Sequence, residues 1–203
     1  MYFANSPFWL KWIYPTLLWH KSRKEKTVFL SFDDGPIPDV TPFVLNTLKS
    51  FNAKATFFCI GENVVKHPEI YKQILADGHS VGNHTYNHLK GWDTKNEIYL
   101  DNITRCAKLV KSNLFRPPYG RAKKSQLTVL NTQYSIIMWD VLSGDFDTKI
   151  SPRKCLQNVL DHTKNGSIIV FHDSIKAFPR LEYALPLALE QLASKGFQFK
   201  SIQ

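Results

Sequence analysis

Residues 27–36 read Thr27-Val28-Phe29-Leu30-Ser31-Phe32-Asp33-Asp34-Gly35-Pro36. The run to Phe32 is mostly β-branched, aromatic or apolar, and Gly-Pro is turn punctuation, so a strand over 27–32 is predicted to end on two adjacent carboxylates. Neighbouring carboxylates repel each other, and a fold gains nothing by placing them at the mouth of a core strand. The pattern recurs along the chain. Strand-like runs are expected at 55–60, 79–83, 113–116, 135–140, 167–172 and 197–201. Polar residues able to do chemistry follow them: His84 and His88 after the third run, Arg116 and Tyr119 after the fourth, Asp140 and Asp145 after the fifth, His172 and Asp173 after the sixth.

Helical patterns lie between these runs. Thr41-Pro42 reads as an N-cap followed by proline at the first helical position, with Val44, Leu45, Leu48 and Phe51 on one face. His67-Pro68 opens a second helix that Gly78 closes, and Ile103, Cys106, Ala107 and Val110 keep helical spacing in a third. Ser151-Pro152 starts another, with Gly166 beyond its end. The last carries Leu181, Leu185, Leu189 and Leu192, and Pro186 is expected to kink it or shift its start. Strand alternating with helix implies an α/β fold of parallel strands joined by right-handed crossovers. Continuously apolar strands are covered on both faces or line a barrel, and six or seven units favour the barrel. The C-terminal ends of all its strands would then share one rim, where active sites of that architecture sit.

The composition agrees with a folded domain. The chain has 203 residues, 43% of them hydrophobic and 21% charged, which excludes a disordered class and suits one large domain or two small ones. Lys and Arg number 26 against 17 Asp and Glu, a net charge of +9 that favours acidic partners. The only tight basic cluster is Lys21, Arg23, Lys24 and Lys26, and no nucleic-acid motif accompanies it, so no nucleic-acid partner is expected. Cys59, Cys106 and Cys155 are odd in number, form no C-x-x-C pair and sit in apolar patterns, which predicts buried free thiols and a reducing compartment. Residues 1–26 form an aromatic and basic segment flanking a domain over 27–203. No stretch approaches the roughly 20 apolar residues of a membrane span. Two readings of the segment stand: an aromatic plug closing one end of the core, or an interfacial foot with the Lys21–Lys26 cluster on lipid headgroups.

His84-x-x-x-His88 can present two imidazoles on one side of a helical turn, a common way to hold zinc. The metalloprotease form needs Glu after the first histidine, and here that position is Thr85. The base must come from elsewhere, and the aspartate pair can supply it. One carboxylate completes a two-histidine, one-carboxylate set that leaves coordination positions open; the other takes a proton from water. The metal's charge offsets the repulsion within the pair. Spacing alone leaves open which aspartate does which. Zinc suits the donor set, and cobalt, nickel or iron could occupy the same ligands.

Five segments in order, SFDDGP (31–36), HTYNH (84–88), RPPYG (116–120), MWDVLSGDFD (138–147) and IIVFHDS (168–174), resemble the motifs of the polysaccharide deacetylases, carbohydrate esterase family 4. The resemblance implies a distorted (β/α) barrel with about seven parallel strands and metal-dependent hydrolysis of an N-acetyl group on an amino sugar. Position by position it implies Asp33 as base and Asp34, His84 and His88 as metal ligands. Arg116 would hold Asp33 ionised. The backbone N–H of Tyr119 would stabilise the oxyanion, and His172, oriented by Asp145, would protonate the leaving amine. Ile169 would line the pocket for the acetyl methyl. The fourth motif departs from pattern: Phe146 stands where the family usually has tryptophan after Asp145, and Leu142 where an aspartate is common. Asp140 is the alternative partner for His172.

The substrate expected on this reading is an acetylated amino sugar or glycan. The alternatives are a metal-dependent amidase or esterase on a non-sugar substrate and a glycan-binding pseudoenzyme. With no cleavable leader pattern before the domain, the sequence predicts a cytoplasmic enzyme acting on a soluble or lipid-linked amino sugar. Phe8, Trp9, Trp12 and Trp19 are the residues that would rest on the inner membrane surface. The oligomeric state is not encoded in any motif.

Overall fold

The computed structural model describes residues 2–203. Its elements in chain order are α1 (Phe8–Ile13), β1 (Thr27–Asp33), α2 (Val40–Ser50), β2 (Ala55–Cys59), α3 (Gly61–Lys66), α4 (Pro68–Ala76), β3 (Ser80–Asn83), α5 (Asn96–Ala107), β4 (Leu114–Phe115), a 3₁₀ turn (Pro118–Gly120), α6 (Lys124–Leu130), β5 (Ser135–Ile136), β6 (Val141–Leu142), α7 (Pro152–His162), β7 (Ile168–His172), α8 (Phe178–Ser194) and β8 (Gln198–Phe199). The sheet runs β5-β4-β3-β2-β1-β7-β6, with β8 beside the start of β1, and every pairing is parallel. The strands curl into the distorted (β/α) barrel that the alternation of elements demands.

Side-chain alternation divides the interior. Val28, Leu30 and Phe32 of β1, and Ile169 and Phe171 of β7, face the helices and pack with Leu45 and Leu48 of α2, Val159 of α7 and Leu181 and Leu185 of α8. The intervening positions face inward, where Phe58, Leu114, Ile137, Ile168 and Ile202 form a smaller core inside the curl. A third cluster joins Tyr99 and Ile103 of α5 and Leu127 and Leu130 of α6 to Leu17 and Trp19 of the N-terminal segment.

The run expected as one strand over 135–140 behaves otherwise. Ser135 and Ile136 pair with β4 at one edge of the sheet, whereas Val141 and Leu142 pair with β7 at the other. One extended run thus crosses the gap between the two edges. The N-terminal segment fills what remains. The Leu18 N–H donates to the Ile136 carbonyl and its own carbonyl accepts from the Met138 N–H, at 2.9 and 2.7 Å. Asn5 bridges to Val141, and His20 to Ser167.

Two helix expectations need correction, and three short helices had no expectation at all. Thr41 is not an N-cap: α2 begins at Val40, and the Thr41 hydroxyl accepts from the Ile37 N–H and donates to Asp173. Pro186 neither starts nor ends α8, which runs unbroken from Phe178 to Ser194 with Pro179 in its first turn, where its missing N–H costs nothing. α1, α3 and α6 have no counterpart in the periodicity, because six or seven residues give too few turns for a pattern to emerge.

Candidate metal centre

Asp33 ends β1 on the inner face, in register with Phe58 of β2 on one side and His172 of β7 on the other. Successive side chains on a strand point to opposite faces, so Asp34 would turn towards the helices if the strand continued. It does not. Asp34 takes φ 85°, and both carboxylates line the same cleft. Asn63 holds this reversal by donating to the Asp34 carbonyl at 2.7 Å, and Asp173 holds it from β7 by accepting from the Gly35 N–H at 3.0 Å. Gly35 must be glycine because a Cβ there would lie 1.9 Å from the Asp173 carboxylate.

The two histidines arrive on a loop, not on the helical turn that their spacing suggested. Thr85 and His88 have φ 66° and 58°, left-handed values that a helix does not contain. The Asn83 side chain accepts from the Thr85 N–H, and Asn102 of α5 accepts from the Tyr86 N–H, fixing the loop to β3 and to α5. His84 Nδ1 lies 2.8 Å from the Arg116 carbonyl, which can only accept, so Nδ1 carries the proton and Nε2 offers its lone pair. Burial pushes the His84 imidazole down to about 4, against the pull of Asp33, and keeps it the neutral donor a metal needs.

These donors converge. His88 Nε2 and His84 Nε2 stand 3.2 and 3.7 Å from Asp34 Oδ1, and the candidate ligand atoms lie within 4.8 Å of one another. Asp34 Oδ1 is buried with no hydrogen-bond partner in the protein, a cost that an ion would remove. Two imidazole nitrogens and one carboxylate oxygen are the donor types of open catalytic zinc sites. The residues therefore fit one divalent cation.

A buried ion pair flanks the triad on one side. Arg116 is fully buried, donates to Asp33 Oδ1 at 2.6 Å and to Ser31 Oγ at 2.8 Å, and donates also to the Ile137 and Met138 carbonyls. Burial alone would raise the Asp33 carboxyl, but the charge and hydrogen bond of Arg116, with the His84 and His172 imidazoles beyond, together hold the group below its ordinary value. On the other side Asp145 receives both the His172 backbone N–H, at 2.6 Å, and the ring Nδ1, at 2.7 Å. Burial alone would lower the His172 imidazole; the charge and hydrogen bond of Asp145, with Asp34 and Asp33 beyond, reverse this and raise it to about 9. Asp140, the alternative partner, faces elsewhere: it pairs with Arg23 at 2.6 Å and accepts from the Ile168 N–H at 2.9 Å, near the start of β7.

Tyr119 sits in the 3₁₀ turn with φ 59° and lays its ring 4.7 Å from that of His88. Ile169 requires correction. It is fully buried among the helix-facing residues, one position out of phase with His172, and does not line the cleft. The apolar wall near His172 is instead Phe146, whose ring centroid is 5.2 Å away, together with Leu142 and Trp139. Strand parity could have excluded Ile169, since residues two apart share a face. Trp92 and the N-terminal residues that also line the cleft lie outside every motif, and Met138, inside the fourth, carried no assigned role.

The polysaccharide deacetylase family model matches residues 20–134. A peptidoglycan-N-acetylglucosamine deacetylase of Bacillus cereus is 33% identical over 191 residues, covering 91% of this chain and 90% of that protein. A chitooligosaccharide deacetylase of Azorhizobium caulinodans is 33% identical over 162 residues, covering 75% of this chain and 76% of its own. The crystal structure of a peptidoglycan N-acetylglucosamine deacetylase in complex with 4-naphthalen-1-yl-N-oxidanyl-benzamide superposes with a TM-score of 0.89 at 31% identity, covering 97% of this chain and 95% of that one.

Proposed function

Because the chain belongs to the polysaccharide deacetylase family, we propose that it hydrolyses the N-acetyl group of an acetylated amino sugar or glycan, releasing acetate and a free amine, with one divalent metal ion. The observation that carries this reading is the order of groups across the cleft: an ionised carboxylate on Arg116, then three converging metal donors, then an imidazole held by a buried carboxylate. Asp34, His84 and His88 would hold the ion, zinc by donor preference. Bound there, it supplies Lewis acidity to the acetamide carbonyl and to a neighbouring water.

The chain's own residues supply the proton transfers. Asp33 removes a proton from the attacking water, and Arg116 keeps it ionised for that purpose. The new carbon–oxygen bond converts the carbonyl to a tetrahedral oxyanion, towards which the Tyr119 backbone N–H is assigned as donor. An amide nitrogen is too basic to leave unaided as an anion. His172, carrying its proton at neutral pH, delivers it to that nitrogen as the carbon–nitrogen bond breaks. Asp145 holds the imidazole in place and stabilises its charged form.

The test is acetate release across N-acetylglucosamine oligomers, peptidoglycan fragments, acetylated xylan and simple acetamides. The expected result is acetate from the amino sugars, loss of activity on chelation and recovery with zinc or cobalt. Acetate from simple acetamides alone, or activity indifferent to chelation, would overturn it.

A further inference from the structure

The cleft around the metal donors encloses about 890 Å³, far more than an acetamide fills, and its charged lining is unbalanced. The carboxylates that line it are already engaged, Asp33 by Arg116 and Asp34 among the metal donors. Two cations line it as well, Arg121 and Lys176. Among the described residues neither forms an ion pair with a carboxylate. Asp147, whose charge feels Lys176 from a greater distance, accepts instead from the Tyr2 hydroxyl at 3.1 Å. The sheet order sets the two cations on opposite sides of the site. Arg121 follows the 3₁₀ turn after β4 and Lys176 follows β7, while the metal donors stand after β1 and β3 between them.

Arg121 is the better placed of the two. Its guanidinium lies 4.3 Å over the ring of Trp92, which also lines the cleft. Such stacking covers a face of the guanidinium and leaves its N–H edge open. Among the described residues that edge donates to no protein group, whereas Arg23, Arg116 and Arg180 each donate to a carboxylate or a carbonyl. Arg121 is two residues beyond Tyr119, a span of at most about 7 Å of backbone. The Tyr119 ring in turn lies 4.7 Å from that of His88. A group held by Arg121 therefore belongs to the sugar that carries the acetamide or to its neighbour. Sugar hydroxyls can accept from the edge, but they leave the charge of two cations uncompensated; an oxyanion answers both.

Resting on the amino-sugar reading above, we propose that Arg121 is a specificity-determining residue that pairs with an oxyanion, a carboxylate or a phosphate, carried by the glycan beside its N-acetyl group. Trp92 holds the guanidinium in place, and Lys176 adds attraction from the other side of the cleft.

The experiment is calorimetric binding to the full chain supplied with zinc. Three disaccharides serve as probes, each with glucosamine at the position of the hydrolysed residue. The neighbouring ring is neutral in the first, carries a carboxyalkyl ether in the second and a phosphate ester in the third. These are product analogues, so the readout does not depend on turnover. At least one anionic probe should bind at least about fivefold more tightly than the neutral one, the upper range for a pair at an open rim. Which anion gains more identifies the source of the charge. Arg121→Gln keeps a donor and removes the charge, so it should bring the probes to within about twofold of one another without weakening the neutral one. Arg121→Lys, a charge without the fork, should fall between. Equal affinities in the wild type, no detectable binding of either anionic probe, or an equal loss on all three probes in Arg121→Gln overturns the pairing. So does an advantage that survives Arg121→Gln, which would mean that the anion binds the metal directly. Acetate release from the N-acetylated probes tests the activity separately. An anion preference with no release from any of them would refute the deacetylase reading and leave the oxyanion subsite standing.

Discussion

At the scale of single residues, Asp33 and His172 are register neighbours on adjacent strands, and opposing influences tune each of them. The charges and hydrogen bonds around each group together override burial: those led by Arg116 hold Asp33 down, and those led by Asp145 lift His172 to about 9. The rate should therefore fall as pH rises through about 9, where the imidazolium surrenders its proton. Asp145→Asn keeps a hydrogen-bonding oxygen but removes the largest raising charge, so burial counts for more and the imidazole falls from about 9. The alkaline limb of kcat/KM should then move to lower pH, and profiles that superimpose would sink the assignment. The sign for stability is the same. His172 is raised on folding, so its contribution is complete below pH 6.5 and is lost as pH rises through about 9. The chemistry-bearing residues of this cleft were legible because unusual types recur just past strand ends. The division of Asp33 from Asp34 was not legible from spacing: it depends on one backbone angle, φ 85° at Asp34, which no residue type announces.

At the scale of elements, the site depends on latches between strand ends. The Asp173 N–H donates to the Asp33 carbonyl at 3.0 Å, and its carboxyl accepts from the Gly35 N–H and from the Thr41 hydroxyl. One side chain thus ties β7 to the turn after β1 and to the first turn of α2. Burial pushes this carboxyl up to about 8, so at neutral pH it is mainly the uncharged acid. An amide matches a neutral carboxylic acid in shape, keeps an oxygen to accept from the Gly35 N–H and turns the Thr41 contact round, its NH₂ donating to the hydroxyl oxygen. Asp173→Asn should stay within about 1 kcal/mol of wild type, whereas Asp173→Ala should cost roughly 2–3 kcal/mol by stranding buried donors. Asp173→Ala should also weaken metal binding, because Asp34 sits on the turn that the latch fixes. Denaturant unfolding and metal titration check this, and equal behaviour of the two variants would refute the latch. The element pattern was readable where strands are long and apolar on both faces, as in β1, β2 and β7. It failed over 135–142, because pairing partners are a tertiary property. A continuous apolar run looks the same whether it keeps one neighbour or exchanges one edge of the sheet for the other.

At the scale of the whole molecule, the curled sheet has a seam where β5 and β6 do not pair, and the chain must cover it with something. The plug reading describes part of the N-terminal segment. Leu17 and Trp19 are each 7% exposed and pack against α5 and α6, so they close the core and Trp19 cannot reach a membrane surface. Phe8, Trp9, Trp12 and Ile13 of α1 remain exposed. No described helix is long and apolar enough to cross a membrane. Below the seam, Arg23 donates to the buried Asp140 and Lys21 donates its N–H to the Gly166 carbonyl, so residues 17–23 follow the seam down to the start of β7. A segment that only decorated the surface would contribute little when trimmed, since exposed substitutions usually change stability by less than about 0.5 kcal/mol. Truncating a buried indole in a packed seam removes transfer energy and leaves a cavity, together about 3–5 kcal/mol. Trp19→Ala should therefore destabilise the fold by that amount, and Trp12→Ala should leave it within about 0.5 kcal/mol of wild type. Urea unfolding of the two variants beside the wild type measures the difference. If both lose the same small amount, the segment is not closing the barrel, and Leu17 and Trp19 are covering surface that the fold can expose without cost.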